Sequence, residues 1–335
     1  MKKTLLLLSV FATMFALKGN AQDDNTVEIL YSGTSASVSI AANIAPYVTV
    51  ESGESGESAH VKLKQSDSFA GIDPTTDNPD GEIFYVLSGV SDDGEFYLEG
   101  AYKCTVELNG LNITNPSGPA LNLQNGKRVA VSAKKGKTNT LTDGANEDYN
   151  GCLHCKGHLK FKGKGTLNVW ASSRHGVYSK EYLEVKNLSL NIYNAPKDGI
   201  HCKNYMLVES GTVTVTSCGD DAMQVELDGT ESTGPTAGHE DEDSGNFYQE
   251  GGTLEVYGCS GKAIKADGDI NLTGGSRNFT GDDTEAHADI NALKAVSTDG
   301  GERIVLDLEG RRTAARKSGL YIVKEGKEVR KVLIP

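Results

Sequence analysis

The chain has 335 residues, and its 46 acidic against 33 basic side chains leave a formal charge of −13. That balance argues against nucleic acid as a partner, because phosphate binding needs clustered Lys and Arg. It suits solubility outside the cell and it suits divalent cations.

The first element is a leader. Met1-Lys2-Lys3, an apolar run over 4–17 and Gly19-Asn20-Ala21 form a basic start, a hydrophobic stretch and a small-residue cleavage site, so residues 1–21 read as a signal peptide. Cleavage after Ala21 removes Lys2, Lys3 and Lys18, taking −13 to −16. No cysteine follows the apolar run, which argues against a lipid-anchored protein. No later segment approaches the length of a membrane span. The expected location is outside the cell, secreted or held at its surface.

Residues 26–117 carry strand-like runs at 27–31, 36–40, 48–51, 60–63, 83–87, 96–98 and 105–108, parted by Gly, Ser, Asp and Pro turns. Their spacing is irregular, as expected of first rungs and a cap over an open core. A regular repeat follows. Gly176-Val177-Tyr178-Ser179-Lys180, Gly199-Ile200-His201-Cys202-Lys203 and Ala222-Met223-Gln224-Val225-Glu226 begin 23 residues apart (176, 199, 222). Cys152-Leu153-His154-Cys155-Lys156 precedes them by 24, and Ala263-Ile264-Lys265-Ala266-Asp267 follows after 41, one repeat plus an 18-residue insertion. Fixed self-similarity at this period means a stacked array.

Within each copy apolar and polar residues alternate with period 2, the signature of strands. Gly211-Thr212-Val213-Thr214-Val215 and its counterparts at 165–169, 189–192 and 252–256 add β-branched runs that suit a pleated surface. About three short strands in 23 residues leave no room for a helix. The expected fold is therefore all-β, a parallel β-helix over 22–275 with rungs about 4.8 Å apart. Residues 276–300 read as its end and a linker. Residues 301–335, with nine basic and five acidic side chains, read as a separate short piece.

Six cysteines in an exported chain raise the question of disulfides. Cys218 and Cys259 fall at the same position of successive rungs, which makes a bridge feasible. Cys155 and Cys202 share a column but lie two rungs apart. The Cys152–Cys155 pair has no second metal-spaced partner motif, so both read as small buried wall residues.

Two resemblances are carried by this chain. Asn109-Gly110-Leu111-Asn112-Ile113, Gly118-Pro119-Ala120-Leu121-Asn122, Asn125-Gly126-Lys127-Arg128-Val129, Leu141-Thr142-Asp143-Gly144, Gly163-Lys164-Gly165-Thr166-Leu167, His175-Gly176-Val177 and Gly219-Asp220-Asp221-Ala222-Met223-Gln224-Val225-Glu226 together resemble exported bacterial carbohydrate-binding-domain-containing proteins. The resemblance spans about residues 27–275. It implies a right-handed, pectate-lyase-like parallel β-helix with calcium sites and affinity for plant polysaccharides, acidic ones included. Lyase activity is not a reliable property of that family. Leu306-Asp307-Leu308-Glu309-Gly310-Arg311-Arg312 with Gly319-Leu320-Tyr321-Ile322-Val323 and Arg330-Lys331-Val332-Leu333-Ile334 resembles a type IX secretion C-terminal sorting segment, which implies surface display.

Alternation also says what a partner meets. Lys156, Lys180 and Lys203 form a column of cations with His154, Tyr178 and His201 beside it, an expected wall for sugar carboxylates and sugar faces. The bland alternative is a solvated wall on which Lys resists edge pairing. Asp198 and Asp221 share a column, with Asp220 and Glu226 close by, and stacked turns of this kind offer oxygens to calcium. Alternatively these aspartates satisfy their own turns. The insertion's run of Glu231, His239, Glu240, Asp241, Glu242 and Asp243 reads as a solvated loop.

The leading expectation is a monomeric, secreted, non-catalytic polysaccharide-binding protein with calcium. A polysaccharide lyase is the alternative, using Lys180 or Lys203 as base beside calcium at Asp198 and Asp221. A structural or adhesive surface protein is the third reading.

Overall fold

The period-2 alternation becomes three walls. The computed structural model describes residues 25–280, apart from 54–55, 57, 67–81, 230–237 and 240–241, and three further strands between 303 and 334. The first face stacks Val48–Ser52, His60–Gln65, Glu95–Gly100, Leu121–Asn125, Gly151–Cys155, His175–Ser179, Ile200–Lys203, Met223–Glu226 and Ile264–Ala266. Apart from the antiparallel pair at the start, all neighbours are parallel. The second face runs from Val129–Ala133 through Leu159–Gly163, Leu183–Val185, Tyr205–Val208 and Asn246–Gln249 to Ile270–Leu272. The third runs from Thr138–Asp143 through Thr166–Trp170, Ser189–Ala195, Thr212–Cys218 and Thr253–Tyr257 to Ser276–Thr280. Three strands per rung, joined by turns, make a parallel β-helix.

The second and third faces meet in one long strand, Cys104–Asn115, which pairs with Val129–Ala133 by its first half and with Thr138–Asp143 by its second. Its bend at Gly110 (φ 78°) is held by Asn139, a buried side chain whose Oδ1 accepts the amides of Gly110 at 2.9 Å and Leu111 at 3.0 Å. The early rungs are irregular because one bent strand there does the work of two. Below them, Thr26–Ser32 and Ser35–Ile40 form an antiparallel hairpin that buries Val27, Ile29 and Tyr31.

The core is made of inward columns. Leu121, Leu153, Val177, Ile200, Met223 and Ile264 stack on the first face, and Leu159, Leu183, Met206, Phe247 and Ile270 on the second. Leu167, Leu190, Val213 and Leu254 stack on the third. Truncating one such Leu to Ala costs about 2–5 kcal/mol. The free cysteines 104, 152, 155 and 202 are buried here, and burial pushes the Cys155 thiol up to about 12. These are inert wall residues, not a redox pair. Cys218 and Cys259 are joined as a disulfide with their Cα atoms 4.4 Å apart.

Two boundaries differ from expectation. The coil continues past 275, because Ser276–Thr280 pairs in register with Thr253–Tyr257. This strand reads as polar because it ends the stack, so Arg277 occupies the column position that Leu254 fills inside. The insertion also departs from a solvated loop. Glu242 and Asp243 are buried, and Glu242 takes hydrogen bonds from Tyr248 Oη at 2.7 Å and from Ser244. His239 Nδ1 lies 2.7 Å from its other oxygen.

Arg303–Leu306, Gly319–Glu325 and Glu328–Ile334 form an antiparallel sheet in a second unit, Ala292–Pro335. The leader at 1–21, the linker from 281 on, the sorting-motif residues 307–312 and Glu231, Glu240 and Asp241 lie outside the described residues.

Candidate functional site

The first face carries the predicted ligand wall on its outer side. Register places Tyr97, Asn122, His154, Tyr178, His201, Gln224 and Lys265 in one outward column. Parallel pairing forces these side chains on top of one another, and the rings respond by stacking. His154 lies 5.1 Å from Tyr178 at 15°, and Tyr178 lies 5.5 Å from His201 at 20°. Tyr149 closes on His154 edge-on at 5.2 Å. Both faces of Tyr178 are therefore taken by histidines. His201, 8% exposed, has no open face for a sugar. The expected stacking role of Tyr178 and His201 is corrected on this point: the rings serve each other.

Their protonation follows from the same crowding. Burial lowers His154 to about 4, and its Nδ1 accepts the Asn150 amide at 3.2 Å, which requires the neutral ring.

The cation column divides. Lys203 Nζ donates to Asp228 Oδ1 at 3.0 Å, and this bond raises its pKa. Lys156 and Lys180 are exposed, and among the described residues neither ammonium has an ion pair or hydrogen bond. Lys156 also borders a pocket of about 320 Å³ lined by Lys64, Tyr97, Glu99 and Gln124 among others. Lys64 spans that pocket to Glu99 at 2.7 Å.

The acidic residues occupy the turn into the first face. Asp198 Oδ1 accepts the Asp221 amide at 3.0 Å, and Asp221 Oδ1 accepts the Lys262 amide at 2.7 Å. Lys265 Nζ stands 3.1 Å from Asp221 Oδ2. Asp198 Oδ2 faces two imidazoles, His201 Nδ1 at 2.9 Å and His175 Nδ1 at 3.2 Å. Burial alone would raise Asp198, but hydrogen bonds to His175 and His201 outweigh it and hold the carboxyl well below the usual range. Asp198, Asp220 and Asp221 do converge, and Asp220 is exposed. Glu226 stands apart from them. Its carboxylate faces His201 Nε2 at 3.3 Å and takes a bond from Gln224 Nε2 at 2.9 Å.

Of the expected calcium ligands, Asp198, Asp220 and Asp221 come together and Glu226 does not join them. Calcium takes six to eight oxygens; three carboxylate oxygens of Asp198 and Asp221 already meet an amide or an imidazole, while the buried Asp221 Oδ2 makes no hydrogen bond and has the Lys265 ammonium 3.1 Å away. Lys265 supplies the positive charge that a calcium ion would supply. The residue that sequence reading missed is His175. It precedes the repeat's small residue as Asp198 and Asp221 do (175, 198, 221), so the 23-residue step carried the signal.

The third face is built differently. Its outward columns are Thr166, Ser189, Thr212, Thr253 and Ser276, then Asn168, Asn191, Thr214, Glu255 and Asn278. Beside them Trp170, 41% exposed, stacks on Tyr193 at 4.3 Å. The preceding member of that column is Thr142, so Trp170 is the end ring of its stack.

A family model for carbohydrate-binding domain-containing proteins matches residues 75–311, more than two thirds of the chain. This chain belongs to that family. A curated carbohydrate-binding domain-containing protein of Acetivibrio thermocellus is 25% identical over 111 residues, 30% of this chain and 39% of its own length. The aligned part thus spans well under half of that relative. A solved polysaccharide lyase-like protein from C. thermocellum, in its gadolinium derivative, superposes with a TM-score of 0.52 at 18% identity, over 76% of this chain and 95% of its own. At that identity the likeness concerns the fold.

Proposed function

We propose that this protein is exported and captures an acidic polysaccharide on the outer wall of its first face, without cleaving it. The observation that carries the reading is the pair Lys156 and Lys180, exposed and unpaired at the ends of adjacent strands, with the Tyr97-lined pocket beside Lys156. Two such cations about one rung apart repel each other, and with only Glu99, among the described residues, within electrostatic reach of Lys156, sugar carboxylates along a chain would relieve both. The family supports a polysaccharide as the partner class.

The lyase reading finds less support. A lysine base must be neutral near the working pH, yet Lys203 is pushed up by its partner Asp228, and Lys265, against the lowering effect of burial, by Asp221. A neutral-glycan reading has one observation in its favour, the exposed Trp170 beside outward columns of Thr, Ser and Asn that Glu255 alone interrupts.

Affinity electrophoresis or calorimetry against polygalacturonate and cellulose tests the proposal. Polygalacturonate binding should weaken strongly as salt rises from about 0.05 to about 0.5 M, because exposed charges are screened over about 10 Å at 0.1 M. Salt-insensitive binding to cellulose alone would move the site to the third face. Release of unsaturated uronates, followed by ultraviolet absorbance, would establish the lyase instead.

A further inference from the structure

The same turn holds a second donor set. We propose that His175, His201 and Asp198 form a binding site for a borderline transition-metal ion, zinc above all, that ties adjacent rungs of the coil together.

Three observations carry this. First, the two Nδ1 atoms converge on one oxygen, Asp198 Oδ2, at 3.2 and 2.9 Å, and all three side chains are buried. Ligand atoms bound tetrahedrally at about 2.0–2.2 Å from zinc lie roughly 3.3–3.5 Å apart, so each nitrogen–oxygen pair needs to part by only a few tenths of an ångström, and all three ligand atoms lie within 4.8 Å of one another. Second, the donors are two imidazoles and one carboxylate. That chemistry suits zinc, copper or nickel, whereas calcium asks for oxygen. Third, the remaining atoms are already held in the way metal ligands are held. His201 turns its other nitrogen, Nε2, to Glu226 at 3.3 Å, and Asp198 Oδ1 is fixed by the Asp221 amide at 3.0 Å. A carboxylate behind a ligating imidazole orients the ring and raises its basicity.

Without an ion, His201 Nδ1 donates to Asp198 Oδ2, whereas His175 Nδ1 accepts the Asp198 amide and carries no proton there. An ion takes the place of the His201 proton, and binding releases it to solvent. The Asp198 amide, 3.3 Å from His175 Nδ1, makes a long contact that the ion would displace. His175 belongs to one rung and Asp198 and His201 to the next, so a single ion spans two rungs. Glu226 adds support from a third.

The test uses the full chain stripped with chelator, then titrated with zinc or calcium by calorimetry and by thermal melting. Zinc should bind one to one and raise the melting temperature, since a ligand of the folded state stabilises it by mass action. Calcium should do neither. Cobalt should give the visible absorption of a tetrahedral site. His201→Gln should abolish binding. Glu226→Gln, a change on the outer wall that keeps the fold if His201→Gln does not, should weaken it about 10–100-fold. Asp220→Asn should leave zinc affinity unchanged, because Asp220 belongs only to the three-aspartate set. The proposal fails if calcium stabilises and zinc does not, if zinc affinity is the same in Glu226→Gln as in the parent, or if Asp220→Asn removes the binding.

Discussion

The first and third faces share one backbone repeat and one register, yet they present opposite surfaces. On the first, the rings of His154, Tyr178 and His201 are used up on one another, and what remains open is charge at Lys156 and Lys180. On the third, the outward columns are Thr, Ser and Asn with Glu255 among them, and an aromatic ring, Trp170, is what remains open. Stacked parallel strands turn any aromatic column into a ladder, so only the end ring of a ladder keeps a free face. An aromatic residue in a repeat is thus a poor guide to ligand stacking until its neighbours above and below are known.

Breaking the shared scaffold should abolish the difference altogether. A Cβ at Gly199 would lie 2.5 Å from Val215 Cγ1 and 2.7 Å from the Ala222 carbonyl oxygen, where the first and third faces approach each other. Gly199→Val should therefore destabilise by about 3 kcal/mol or more, at or beyond the usual overpacking cost. Denaturant unfolding measures the loss, and binding on both faces should fall together.

Tyr178→Ala comes next. Removing the ring between His154 and His201 deletes two stacked contacts, each worth about 0.5–1.5 kcal/mol, so stability should fall by about 2 kcal/mol. Glycan affinity of the remaining folded protein should hardly change. A large loss of affinity with unchanged melting would restore Tyr178 as a sugar contact.

Lys180→Glu should weaken polygalacturonate binding about tenfold, equivalent to about 1.4 kcal/mol, and flatten its salt dependence. Trp170→Ala should leave that binding alone. Its effect, about fivefold, should appear only with a neutral glucan, since an exposed ring contributes about 1 kcal/mol. Equal effects of both substitutions on both glycans would erase the distinction between the faces.

The smallest effect concerns pH. His154 is lowered to about 4 by burial, so the folded state prefers its neutral form. Its contribution to stability is fully present above the unfolded value of about 6.5 and is lost as pH falls from there to about 4. Asp198, also depressed, contributes above its unfolded value of about 3.9 and loses that contribution below it. In His154→Gln the decline between pH 6.5 and 4 should become shallower, with the more acidic limb unchanged, as read by melting temperature against pH.

Much of this molecule follows from local pattern. Period-2 alternation determines which side of each strand faces the core, and the 23-residue step determines which residues share a column. Both are properties of neighbouring backbone, so the coil, its three strands per rung, the columns of Lys156 and Lys180 and of Asp198 and Asp221, and the coincidence of Cys218 with Cys259 could be read from the residues alone. The coil's extent was misplaced because Ser276–Thr280 is polar, and among the described residues no further strand of the coil covers it. Tertiary structure alone decided which outward groups are spent. Lys203 goes to Asp228, Lys265 to Asp221, and both faces of Tyr178 to histidines. It also folded Glu242 of the insertion into a buried hydrogen-bonded site. Those outcomes depend on side-chain directions and distances between rungs, which a repeat fixes for Cα atoms but not for the tips of long side chains.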